Sequence, residues 1–522
     1  MKLPLLLCLL ALSTAYGHRI LCMFPVPTRS HNILGKGIAD ALLQAGHEVT
    51  YVTPYPDIMK PAKGLRVVNV NATLKIFEGM DIINTATKGD FRKVLAYGRD
   101  IISIAMETPE LQNILKKEDF DAVVSEWFFS DVNAGIAAAL RVPWILLSGT
   151  VMSSHMESLV DDIRTTAIIP ALLAEFPIPM SLWQRLMNTF ITAGMTFGTW
   201  LDQASNEALY HSLFGPIAEA RGVTLPPYMD ALYNVSILFS NSHPSMSTAQ
   251  SLPPNVVQIA GYHIDMKIPP LPKDLQDLLD GSPQGVVYFS MGSVVKSAAI
   301  PLEQRQDLIR VLGALPYTVL WKFEEPIEGL PKNVHVRPWM PQPSILAHPN
   351  VRLFITHGGM LSALEAVNAG VPLLSIPVYG DQSTNAFRSV VAGYALRVPF
   401  RPWSAAAFED ALKEILGNDS YYKRAKHLSK VFHNRPVEPS KLISHYVETA
   451  IETQGAYHLR SPSRHYQWYE RYMFDQLVVI LAVLYILGKI LKALFRFIKS
   501  LFVGSKVSKV KKETKSKKVK AQ

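Results

Sequence analysis

At 522 residues, 48% of them apolar, the chain is too long for one ordinary domain and long enough to bury a large core. Its formal charge of +9 is a property of one end: from Lys489 onward 12 Lys and Arg face the single acid Glu513, leaving 40 basic and 42 acidic residues for the rest. That balance excludes nucleic-acid binding as the meaning of the high isoelectric point. Cys8 falls in the leader described next, so Cys22 alone remains and no intramolecular disulfide forms.

MKLPLLLCLLALSTAYG (1–17) has the lysine, apolar stretch and small-residue exit of a secretory signal peptide, giving a mature chain from His18. Strand and helix then alternate. RILCMFPV is predicted as a strand, PTRSH as a loop, ILGKGIADALLQAG as a helix closed by Gly46, and HEVTYVTP as a second strand. FDAVVSEWF, VNAGIAAALR and VPWILLS continue the pattern. It restarts after a Pro-rich linker with GVVYFSMGS, PLEQRQDLIRVLGAL, YTVLWKF, NVHVRPW, VRLFITH and LSALEAVNAG. Such alternation predicts α/β architecture, a parallel sheet wrapped by helices, twice over. The expected order is a Rossmann-like domain over 18–265, a linker at 266–274, a second such domain over 275–450, and a segment 451–473 that packs back and leads onward. The uncharged run 186–201, too short to span a bilayer, is expected as a buried helix, with a membrane-surface segment as the alternative.

LVVILAVLYILG (477–488) and its flanks predict a transmembrane anchor over 474–498, with Lys489, Lys492, Arg496 and Lys499 at its far side. The part after Gly488 also suits a basic amphipathic helix on a membrane surface, and both readings stay open. The basic flank marks the tail 499–522 as cytosolic. Lys518 and Lys520 have the spacing of a dilysine signal for retrieval to the endoplasmic reticulum. Asn71, Asn234 and Asn418 head N-x-S/T triplets and are candidate glycan acceptors in the lumen.

The chemistry concentrates in 337–386. FITHGGMLSALEA ends a strand at His357 and starts a helix at once. Ligands of open α/β sheets bind beyond the carboxyl ends of the strands, and a helix N-terminus offers unpaired N–H groups that suit a phosphate. Gly358 and Gly359 let the backbone approach closely, while His357 and Ser362 add donors. Glu365, one turn into the helix, is placed to accept from the vicinal hydroxyls of a ribose. Trp339 offers a face for a base, Gln342 a donor and an acceptor, and Asp381 with Gln382 a carboxylate and an amide for sugar hydroxyls. Together they describe a nucleotide-sugar site.

W-M-P-Q, L-A-H-P, F-I-T-H-G-G, S-A-L-E-A, G-V-P-L-L-S-I-P and G-D-Q in this order resemble the signature of the UDP-glycosyltransferases, in particular membrane-bound animal members and among them invertebrate ones that draw on UDP-glucose. The resemblance covers almost the whole chain, GAYHLR (455–460) included. It implies the GT-B fold, a cleft between the two domains, an N-terminal acceptor half and a C-terminal donor half. It implies transfer of a hexose from a UDP-sugar to small lipophilic acceptors, as in detoxification, with the UDP-sugar a co-substrate and no metal cofactor. Leu361 departs from the pattern, where many members have an Asn near the phosphates; Ser362 is the candidate replacement. Backbone amides near Ser293, in FSMGS, are expected beside the diphosphate.

His31, in PTRSHNILGKG, stands after the first strand, where the family places the base that takes the acceptor's proton; a neutral imidazole has the right proton affinity for that work. The family's orienting Asp is here Glu126, with Asp131 as the alternative. The implied reaction is a single displacement with inversion at the sugar's C1. Asp119 and Asp121 form a D-x-D triplet of the metal-binding type, but they open a strand far from the donor signature and are expected as a solvated turn. Glu126 and Leu361 keep open a UDP-sugar-binding protein without activity, and an epimerase-like enzyme of similar fold is the other rival. The expected setting is the endoplasmic-reticulum membrane, crossed once, with lumenal catalytic domains; assembly into a homo-oligomer is left open.

Overall fold

A computed structural model describes residues 17–78, 91–160, 166–171, 173–246, 249–265 and 267–519. The leader up to residue 16, Lys520 and the side chain of Lys518 lie outside the described residues.

Two parallel sheets make up the folded unit, which runs to Ser461. The first is built from β1 (Arg19–Met23), β2 (Glu48–Thr53), β3 (Leu65–Asn69), β4 (Ala122–Trp127), β5 (Trp144–Ser148), β6 (Val235–Ser240) and β7 (Val256–Gln258), in the order β3-β2-β1-β4-β5-β6-β7. The second holds β8 (Val286–Ser290), β9 (Thr318–Lys322), β10 (Val334–Arg337), β11 (Val351–Thr356), β12 (Leu373–Ser375) and β13 (Ala395–Arg397), in the order β10-β9-β8-β11-β12-β13. Strand order reverses beside β1 in one sheet and β8 in the other, which opens a crevice at the carboxyl edge of each. The α/β expectation holds. Central strands such as WILLS and VVYFS are buried at every position because helices cover both faces. Four apolar clusters result, two per sheet.

The first helix, Arg29–Gln44, begins two residues before the predicted loop ends, so His31 is the third residue of a helix rather than part of a loop. Asn32 fixes that start. Its fully buried amide donates to Val26 O at 2.7 Å and Thr28 O at 2.9 Å, and its oxygen accepts from Thr53 Oγ1 at 2.5 Å. These bonds satisfy the backbone of the turn between β1 and the helix, where the ladder no longer can.

The chain crosses between the domains twice. The helix Pro439–Glu452 returns to the first sheet, where Ile443, Val447 and Ala450 are fully buried in one cluster with Ile20, Val124 and Leu147. The boundary expected at 450 therefore falls inside a helix of the N-terminal core. Arg435 ties the second crossing to the first. Its guanidinium donates to Ala260 O at 2.6 Å and Phe432 O at 2.7 Å and lies 4.2 Å over the Phe432 ring. Phe432 fills the space beside Gly261, where a Cβ would come within 2.7 Å of the ring.

The expected burial of 186–201 does not hold. The helix Leu182–Leu201 exposes Trp183, Phe190 and Trp200 at 69%, 71% and 62%, and its buried residues are Asn188 and Thr192. Asn188 explains the inversion. It accepts from Ala171 N at 2.7 Å and donates to Thr166 O and Ile169 O at 2.8 Å, so the helix is held by its polar side. Apolarity brings burial only where another element covers the face.

Residues 462–522 form a separate unit. Its helix Phe474–Val519 is unbroken, and Phe474–Phe502 is long and apolar enough to cross a membrane. Residues 490–498 continue that helix without interruption.

The return helix yields a test. Ile443→Ala should cost the N-terminal domain about 2–4 kcal/mol, read as faster hydrogen exchange of the β1 and β4 amides; unchanged protection there would remove this helix from that core.

Candidate active site

The first site lies at the carboxyl edge of the N-terminal sheet. Glu126 is the fifth residue of β4, its side chain fully buried, and its Oε1 lies 2.7 Å from His31 Nδ1. Gly149, just past β5, makes room for it, since a Cβ there would come within 2.6 Å of Oε1. The second oxygen, Oε2, has no hydrogen-bond partner among the described residues. His31 keeps 27% of its side chain exposed, so its other nitrogen, Nε2, is the one that can meet a reactant. Burial opposes a charge on the ring. The attraction and hydrogen bond of Glu126 outweigh it, with a smaller contribution from Asp381, and His31 is raised above its ordinary proton affinity. The sequence left Glu126 and Asp131 as alternatives. The structure gives His31 to Glu126, while Asp131 bonds His155 at 2.9 Å and Trp127 Nε1 at 2.8 Å.

The second site lies on the facing edge. His357 follows β11 and is wedged between two glycines: a Cβ on Gly292 would stand 2.6 Å from its Cε1, and one on Gly359 2.5 Å from its Nε2. Gly359 then caps the helix Met360–Ala369, whose first turn has backbone N–H groups to offer an anion. Gln342, Ser362 and Glu365 are brought into direct contact, Gln342 Nε2 donating to Glu365 Oε2 at 2.6 Å and to Ser362 Oγ at 3.3 Å. Burial pushes the Glu365 carboxyl up to about 7, and the Gln342 bond offsets only part of that. His357 goes the other way. Burial first, then the charge of Lys322, pulls it down to about 4, so it is a neutral hydrogen-bonding group near pH 7.

Trp339 is exposed at 62% with Lys322 Nζ 5.9 Å from its ring centre. Ser293 is exposed in the turn after β8. Asp381 holds Asn385 at 2.8 Å and is near enough to act on His31. Gln382 is buried, and its carbonyl accepts from Val378 N and Tyr379 N at 2.9 and 3.1 Å, which leaves only its amide nitrogen for a ligand. Leu361 packs against the apolar cluster of the N-terminal domain, which includes Leu34 and Ile38. It is a contact across the cleft, and Ser362 beside it bonds Gln342. Asp119 pairs with Arg221 at 2.7 Å and Asp121 accepts from Arg19 N at 2.7 Å, both before the start of β4 and so at the opposite edge of the sheet. Asn71 and Asn418 are exposed; Asn234 accepts from Arg460 at 2.8 Å.

Lys322 was not singled out from sequence. It ends β9, is 8% exposed, and donates to Gly292 O at 3.0 Å and to Glu324 at 2.8 Å. The same carboxyl-edge rule that marks His357 marks this lysine in YTVLWKF.

A family model described as UDP-glucoronosyl and UDP-glucosyl transferase matches residues 21–509. The chain belongs to this family. Among relatives, UDP-glucosyltransferase 2 of Dactylopius coccus is 32% identical over 96% of this chain and 97% of its own length. UDP-glucuronosyltransferase 1A7 of Mus musculus is 29% identical over 92% of each. Solved glycosyltransferases share the fold: that of kitacinnamycin matches with TM-score 0.56 and 19% identity over 84% of this chain and 100% of its own, and VinC in complex with DTDP with 0.56 and 19% over 83% and 100%. The chain is thus a GT-B hexosyltransferase of the UDP-glycosyltransferase family, with a UDP-sugar as donor.

The two imidazoles of this UDP-glycosyltransferase should titrate on opposite sides of the free value. Histidine hydrogen–deuterium exchange should place His357 near 4 and His31 above 6.5. In Glu126→Gln burial is opposed only by the smaller pull of Asp381, so His31 should fall below 6.5; a His31 that stays put would show that Glu126 does not set its charge.

Proposed function

We propose that the protein transfers glucose from UDP-glucose to a hydroxyl of small lipophilic acceptors by a single displacement that inverts C1, without a metal cofactor. The bond between His31 Nδ1 and the buried Glu126 carries this reading. It leaves Nε2 to take the acceptor's proton as the acceptor oxygen bonds to C1 and UDP departs with the electrons of the broken C–O bond. The imidazolium formed would rest against the Glu126 carboxylate, in the manner of a catalytic triad. On the donor side the Met360–Ala369 helix start, neutral His357 and the Lys322 ammonium are the groups offered to the diphosphate. Trp339 would take the base, Gln342 and Glu365 the ribose, and Asp381 with the Gln382 amide the sugar hydroxyls. The choice of glucose is supported by the name of the Dactylopius relative.

A donor panel of UDP-glucose, UDP-glucuronic acid, UDP-galactose and UDP-xylose with one phenol, read by mass spectrometry, should give chiefly the glucoside. His31→Ala should lower kcat by about 10²–10⁴-fold with UDP affinity nearly unchanged by calorimetry. Equal loss of both would make His31 structural, and no transfer with any donor would sink the reading.

We also propose that the Phe474–Phe502 helix anchors the protein in the endoplasmic-reticulum membrane, with the folded unit in the lumen and the lysine-rich tail in the cytosol. In sealed microsomes a protease should remove an epitope placed at the C-terminus and spare the folded unit; the reverse pattern would invert the topology.

A further inference from the structure

The wall beside His31 continues past it. Phe128 meets His31 edge-on at 4.9 Å, Phe129 meets Phe128 at 5.3 Å, Trp127 meets Phe129 at 5.1 Å, and His155 lies across Trp127 at 5.1 Å. A run of half-buried aromatic rings at the exit of β4 thus joins the His31 imidazole to a second one. Holding that run has a cost. Phe129 sits in the left-handed region at φ 51°, a strained conformation rare for a bulky side chain. The helix Phe91–Met106 closes on this turn so tightly that a Cβ on Gly98 would come within 2.5 Å of Phe128 O.

His155 is fixed by a buried carboxylate. Asp131 Oδ1 takes His155 Nε2 at 2.9 Å and the Trp127 indole N–H at 2.8 Å, and Asp131 is 5% exposed. A carboxylate only accepts, so Nε2 carries a proton, and in the neutral ring Nδ1 presents a lone pair. Nδ1 is without a partner among the described residues. The transfer described above makes no use of this second histidine–carboxylate pair, although it stands on the same sheet edge as the first.

We propose that His155, held by Asp131, determines acceptor specificity: it anchors a planar aromatic acceptor through a second hydroxyl, which donates to Nδ1. The ring system lies along Trp127, Phe128 and Phe129, and the reacting hydroxyl reaches Nε2 of His31. This rests on the small-lipophilic-acceptor reading and names its chemical class, an aromatic diol with hydroxyls at its two ends.

The test uses the full chain with UDP-glucose and three acceptors of one frame: 4,4′-dihydroxybiphenyl, its monomethyl ether and 4-phenylphenol. Only the first has a distal hydroxyl that can donate. The unaltered enzyme should show a KM about tenfold lower for the diol than for either other acceptor, a hydrogen bond's worth, at similar kcat. His155→Phe, which keeps a ring against Trp127, should raise the diol's KM to that of the others and leave their KM, kcat and UDP affinity alone; His155→Gln, whose amide oxygen accepts, should restore part of the preference. An unaltered enzyme that treats diol and methyl ether alike overturns the proposal, and this comparison does not depend on any variant folding. Equal KM changes for all three acceptors in His155→Phe overturn it too, leaving the acceptor class intact. Transfer to none of the three overturns the acceptor class and this proposal together.

Discussion

A parallel sheet gathers all its strand ends on one edge, and each helix start lies beside them. Both sheets of this protein obey that constraint, and the chemistry follows from it. On one edge stand His31 after β1, Glu126 near the end of β4 and Gly149 after β5. On the other stand Ser293 after β8, Lys322 at the end of β9, His357 after β11 and Asp381 after β12. Leu361 of the second edge packs against the apolar cluster of the N-terminal domain, so the two edges face each other, and Asp381 raises His31 from the opposite sheet.

Within that frame, the two principal histidines differ by their neighbours. His31 has the Glu126 carboxylate beside it, with Asp381 adding to its pull; His357 is buried and has the charge of Lys322 acting on it. One ring is therefore poised to gain a proton, the other to stay neutral and donate. Omission of side chains shapes both places. Gly149 clears space for the Glu126 carboxylate, and Gly292 with Gly359 leaves a slot the width of the His357 ring. A steric vacancy in the sequence becomes an electrostatic setting in the fold.

Much of this was legible in the chain itself, for identifiable reasons. Alternating apolar runs and helix patterns disclosed two α/β units, and the glycines behind His357 disclosed a strand end that passes at once into a helix, because both signals are local. The Glu126 partnership was only half visible: the resemblance nominates Glu126 with Asp131 as the alternative, and the contacts decide between them, Glu126 meeting His31 and Asp131 meeting His155. The helix Leu182–Leu201 was misjudged because composition does not report whether a neighbour covers a face, and here Asn188 turns the polar side inward. Leu361 looked like a missing phosphate ligand, yet it belongs to the N-terminal apolar cluster, a contact between residues hundreds of positions apart. Long-range pairings of this kind leave no spacing to read.

The two crossings of the polypeptide have a mechanical meaning. Separate flexible joints would let one domain swing, twist or slide over the other. Here Arg435 clasps Ala260 and Phe432 seats against Gly261, so both strands of the connection meet at one point. Any relative motion of the domains that parted the connections there would have to break the Arg435 bonds and unseat Phe432 from Gly261. A cut in the linker would leave the donor half attached to the N-terminal domain through the packing of Ile443, Val447 and Ala450 in that domain's core.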